Sequence, residues 1–109
     1  MTPKDFKKVT DETFKKCDKV LNSKNIEYAR NNDKLHNFKV AGTTRGVTPE
    51  SALGGMMLKH VISIFDYIND TDKDICRNVD SWDEKIVDNI NYLLLLRGLV
   101  IERENGFIN

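Results

Sequence analysis

Three residues near the C-terminal end carry the spacing most suggestive of chemistry. Glu84, Asp88 and Asn91 stand four and three apart, which sets them on one face of a helix with Tyr92 beside them. Lys59 and His60 lie on an earlier helical segment, and Glu27 and Asp33 on one earlier still. Carboxylates that meet between helices can hold Mg²⁺ and, through it, a phosphate chain, so Glu27, Glu84 and Asp88 are the candidate metal ligands. Each residue also has a structural use. Glu84 fits a capping box begun by Ser81, Asp88 can pair with Lys85 or Lys59, and His60 suits a helical core. The run Thr43-Thr44-Arg45-Gly46 offers hydroxyls, a guanidinium and backbone amides to a phosphate.

Other chemistries are absent from the pattern. Asp70-Thr71-Asp72-Lys73-Asp74 imitates the start of a calcium loop, but its sixth position is Ile75 where glycine is needed and its twelfth is Ser81 where a bidentate glutamate is needed. There is no Gly-rich phosphate loop, and no serine or cysteine beside a histidine in a nucleophile arrangement. Cys17 and Cys76 share no metal or redox spacing and are read as reduced thiols.

Helices must position these groups. Thr2-Pro3 with Asp5 starts the first, and Phe6, Val9, Thr13, Cys17, Val20 and Leu21 give it a narrow apolar stripe opposite a lysine-rich face. A turn and a short helix carrying Leu35 and Phe38 are expected over 24–39, and a loop over 41–46. Thr48-Pro49-Glu50 starts the next long helix, whose apolar face runs from Leu53 to Ile68. Gly54-Gly55 within it costs about 1 kcal/mol per glycine and implies a close approach by another backbone or a ligand. Residues 69–80 read as a surface loop. The last helix, capped by Ser81, is apolar nearly all round in its second half, so oligomerisation through it is expected.

The fold class is therefore all-α: three longer helices and one short one in a single domain over residues 1–109, a helical bundle. The 109 residues carry 17 basic and 17 acidic side chains, so the net charge is zero, and no helix-turn-helix pattern is present. Duplex nucleic acid is not an expected partner. Residues 1–46 hold an excess of five positive charges and 47–109 an excess of five negative ones, which fits either attraction between the two halves, within a chain or between subunits, or ordinary solvated helix faces. The polar N-terminus lacks a signal-peptide core and the longest apolar run is too short to span a bilayer. A cytoplasmic protein is expected.

Three blocks in order resemble a known family. Lys24-Asn25-Ile26-Glu27-Tyr28 followed by Asp33-Lys34-Leu35-His36-Asn37-Phe38 is similar to the opening of the small phage proteins grouped as the nucleotide-modification-associated domain family. Met57-Leu58-Lys59-His60 resembles their middle-helix block, and Glu84 to Tyr92 their Asp-x-x-x-Asp-x-x-Asn-Tyr block. The likeness spans about residues 14–101. It implies an all-helical phage or prophage protein linked to nucleotide metabolism, in the host cytoplasm. The arrangement is also reminiscent of MazG-type nucleotide pyrophosphatases, which bind Mg²⁺ through paired acidic motifs. Lys24 stands where an acid would precede Glu27, and the Glu84 to Asp88 step is one residue longer than in that pattern.

Three functions follow as expectations. The first is a homo-oligomeric binding protein for a nucleotide or nucleotide-derived signal, sequestering a host immune messenger. In it Arg45 and Lys59 neutralise phosphate, Tyr28 or Tyr92 stacks on a base, Asn91 or Asn37 reads polar edges, and His60 is a further ligand-binding residue. The second is a Mg²⁺-dependent nucleoside triphosphate pyrophosphatase using Glu27, Glu84 and Asp88. The third is a protein–protein inhibitor of a host enzyme.

Overall fold

The structure is a computed structural model that describes residues 1–23 and 32–106. Helix α1 spans Pro3–Ser23, α2 His36–Arg45, α3 Pro49–Asp70 and α4 Val79–Asn105. A single 3₁₀ turn, Thr71–Lys73, follows α3. No strand element occurs among the described residues, and no helix among them is long and apolar enough to cross a membrane.

Local chemistry explains most boundaries. At α1 the Asp5 amide donates to Thr2 Oγ1 at 3.1 Å while the Thr2 amide donates back to Asp5 Oδ2 at 3.4 Å, a reciprocal cap. At α3 the Thr48 hydroxyl accepts from the Ser51 amide at 3.0 Å, and Pro49 occupies the first turn, where its missing N–H costs nothing. The start of α4 lies earlier than the Ser81 cap expected from sequence. Asn78 is the cap, its Oδ1 accepting from the Ser81 amide at 2.9 Å. Asparagine caps as well as serine does, so Ser81 becomes a donor inside the first turn.

The expected loop over 41–46 is mostly helix. Helix α2 runs through Thr44 and Arg45 and stops at Gly46, which is left-handed at φ 70° and sends its amide to the carbonyls of Gly42 and Thr43. The turn into α3 is tight enough that a Cβ on Gly42 would lie 2.8 Å from the Val47 carbonyl oxygen. Glycine here serves a close backbone approach.

Helices α3 and α4 form an antiparallel hairpin. Glu50 at the start of α3 pairs with Arg103 near the end of α4, the Asn89 amide donates to the His60 carbonyl at 3.1 Å, and Tyr67 meets Trp82 edge-on at 5.3 Å. Near the hairpin turn Arg77 bonds Asp70 at 2.7 Å and lies over the Tyr67 ring at 4.0 Å, which ties down the acidic segment that mimics a calcium loop. Helix α2 lies across one side of the hairpin, where Leu35, Phe38, Leu53 and Leu99 make the core with Met57, Tyr92, Leu95 and Leu96 packed on it.

Helix α1 joins that side at its C-terminal end only. Cys17 is buried there, which raises its thiol pKa, and Lys16 pairs with Asp83. Phe6, Val9 and Val20 of the apolar stripe remain exposed, as does Phe14, so the stripe of α1 is covered fully at Cys17 and partly at Leu21.

Candidate ligand-binding site

A cavity of about 320 Å³ opens where the end of α1, the start of α2 and the middle of α4 meet. Val20, Leu21, Phe38 and Leu95 supply apolar wall, and Lys34, Asn37, Asp88, Asn91 and Tyr92 supply polar groups. The four- and three-residue spacing of α4 turns Asp88, Asn91 and Leu95 toward α1 and α2 together. A size of this order, apolar with a few convergent polar groups, suits part of a small organic ligand.

Asn91 is the polar group set deepest. The residue is buried, and its Oδ1 has no hydrogen-bond partner among the described residues. A buried acceptor left unmade costs about 1–3 kcal/mol, and such groups are rare in folded proteins. Tyr92 beside it packs edge-on against Phe38 at 6.5 Å and lies 5.0 Å from the His60 ring. Burial pushes the Tyr92 phenol above its usual pKa, and the Asp88 carboxylate adds to the rise. The phenol is therefore neutral at ordinary pH. His60 Nδ1 stands 3.6 Å from Asp88 Oδ2, too far for a good hydrogen bond. At the rim the Lys34 ammonium donates to the Leu21 carbonyl at 2.6 Å, which uses one of its three protons.

Asp88 and Val20 also border a second cavity of about 540 Å³ between α1 and α4, with Lys16, Lys19, Asp80, Asp83 and Glu84 around it. Its charges are partly spent on each other, as in the Lys16–Asp83 pair.

Of the residues singled out from sequence, Asn37, Asn91, Tyr92 and Asp88 line the smaller cavity, and His60 backs it through Tyr92 and Asp88. Glu84 stands one turn away on the larger cavity. Arg45 and Lys59 line neither. Lys59 is an exposed residue of α3, and Arg45 lies over Gly55, where a Cβ would meet its Nη1 at 3.1 Å. Glu27 and Tyr28 fall outside the described residues. Among the described residues no group of three His, Cys, Asp or Glu side chains is placed to hold a metal ion.

Two features escaped the sequence reading. Lys34 reaches the cavity from just before α2, and its spacing to Asn37 was the available sign. Lys39 bridges Asp33 at 2.7 Å and Glu102 at 2.8 Å, clamping α2 to the end of α4. Nothing local announces a pairing between positions 39 and 102. Comparison of the chain with protein-family models, with curated proteins and with solved structures finds no match, so the family likeness stands on its three sequence blocks alone.

Proposed function

We propose that the protein binds a nucleotide or nucleotide-derived molecule in the cavity between α1, α2 and α4. The observation that carries this reading is Asn91, which lines the cavity and whose Oδ1, buried behind that wall, has no hydrogen-bond partner among the described residues. An acceptor in that position selects a ligand with an N–H donor, as the edge of a nucleobase provides. The Asp88 carboxylate beside it is a second acceptor, and the Tyr92 ring and Phe38 offer apolar surface to the base. Lys34 at the rim suits a phosphate on the sugar.

Arg45 and Lys59 do not contribute to this constellation, so a single phosphate fits it better than a polyphosphate chain. Capture of a messenger is a use consistent with such a site, and it also accords with the family likeness.

The test is calorimetric titration of the protein with nucleosides, mononucleotides and cyclic dinucleotides, followed by chromatography of the recovered ligand. Binding is expected, with the ligand returned intact. Asn91→Leu is expected to weaken it tenfold or more, a loss of about 1.4 kcal/mol. Equal affinity in that variant, or no heat with any member of the series, would overturn the proposal. A cleaved product would replace binding with hydrolysis.

A further inference from the structure

The α3–α4 hairpin has two broad sides, and the chain covers one of them. On α3 Leu53 clusters with Phe38 of α2, and on α4 a Cβ added at Gly98 would meet the Leu35 side chain at 3.5 Å. At 100° per residue, the positions a third of a turn to the other side of the α3–α4 seam are Gly54, Leu58, Val61, Phe65 and Ile68 on α3. On α4 they are Ile86, Ile90, Leu93, Arg97 and Val100. Both sets follow a seven-residue repeat, in steps of four and three on α3, which is the pattern of helices packed along their length.

None of these side chains meets another element of the described chain closely enough to be buried. Leu58 is 56% exposed, Phe65 54%, Leu93 53% and Val100 45%. Half-exposed side chains of this size present roughly 80 Å² each, so the face offers on the order of 500–600 Å² of apolar surface. That lies at the upper end of the largest apolar patches usual on a monomer, and doubled across two copies it reaches about 1,000 Å², the lower bound for a specific interface.

Gly54 adds an independent sign. A Cβ there would meet nothing within 4 Å, so no contact inside the described chain accounts for a glycine in the second turn of a long helix. An approaching helix from another molecule would account for it.

We infer that this face is the interface with a second copy of the chain, two hairpins stacking into a four-helix layer with α1 and α2 outside. The face suits its own copy. Its α4 stripe is interrupted by Arg97 and Glu104, one of each sign and neither ion-paired within the described residues, so a two-fold pairing can set the arginine of one copy toward the glutamate of the other. A two-fold pairing therefore brings apolar surface onto apolar surface without net repulsion. The inference is independent of the ligand proposal, because the cavity lies on the covered side.

Sedimentation equilibrium over the micromolar range reads the result directly. The expected mass is twice 12.6 kDa. The double variant Phe65→Lys with Leu93→Lys is expected to sediment at the single-chain mass with its helical circular dichroism intact. Leu58→Gln, a milder change at an exposed site, is expected to weaken association at least tenfold. Phe6→Lys, on the uncovered part of α1, is expected to leave the dimer unchanged. A wild-type protein at single-chain mass throughout the range would overturn the inference, as would a dimer broken by Phe6→Lys and indifferent to Leu58→Gln.

Discussion

The two sides of the α3–α4 hairpin are built from the same kinds of residue and end in opposite situations. Leu53 and Leu58 sit five positions apart on one helix, yet Leu53 is 1% exposed and Leu58 more than half exposed. Leu99 and Val100 are adjacent on α4 and differ in the same way. Leucine and valine at helical spacing require burial against something. They do not specify whether that something is α2 of the same chain or another molecule. The covered side holds the core of the chain, and the uncovered side carries the proposed interface.

The largest expected effect separates those roles. Leu53→Ala removes a fully buried side chain and should destabilise the protein by about 2–5 kcal/mol in urea unfolding at any concentration. Phe65→Ala should cost less than about 1 kcal/mol in dilute solution, where alanine gains helix propensity, and more as concentration rises. Equal, concentration-independent losses would erase the distinction.

Two glycines sharpen it. Gly42→Ala forces a methyl against the Val47 carbonyl and should cost about 1–3 kcal/mol by thermal denaturation. Gly54→Ala meets no neighbour in the chain and should stabilise the dilute monomer by about 1 kcal/mol.

The smallest effect concerns the Lys39 clamp on the covered side. Burial alone would lower the lysine pKa, but Asp33 and Glu102 outweigh it and hold the pKa above its ordinary value. The folded state thus keeps this proton more firmly than the unfolded chain. The clamp's contribution should be complete below about pH 10.4 and fade as pH rises through the higher folded value. The difference in melting temperature between wild type and Lys39→Met, which cancels the nearby titration of Tyr92, should shrink from about pH 9 to about pH 11. Its size corresponds to about 1 kcal/mol or less once solvent screening is allowed for.

Much of the architecture was legible because its signals are local. Thr2-Pro3 and Thr48-Pro49 marked helix starts that backbone amides donating to the threonine hydroxyls realise, and a four- and three-residue step was enough to align Asp88, Asn91 and Tyr92 beside one cavity. Helix α2 was harder. Two threonines and two glycines from Gly42 to Gly46 read as loop, whereas the helix, with Gly42 packed against the Val47 backbone, continues through Arg45. Arg45 and Lys59 looked like phosphate ligands by type, but the helices that bear them hold them away from the cavity.

What the amino-acid sequence determined by itself was an all-helical chain, its long helices, most of their caps and the polar groups of α4, since hydrogen bonds and periodicity within a few residues decide those. Only the tertiary structure decided which apolar stripe is covered, that Asn91 is buried with an acceptor unspent, and that Lys39 meets Glu102. Those outcomes depend on contacts between residues far apart in the chain. Their geometry is set by how whole helices pack, a property that no short stretch of residues encodes.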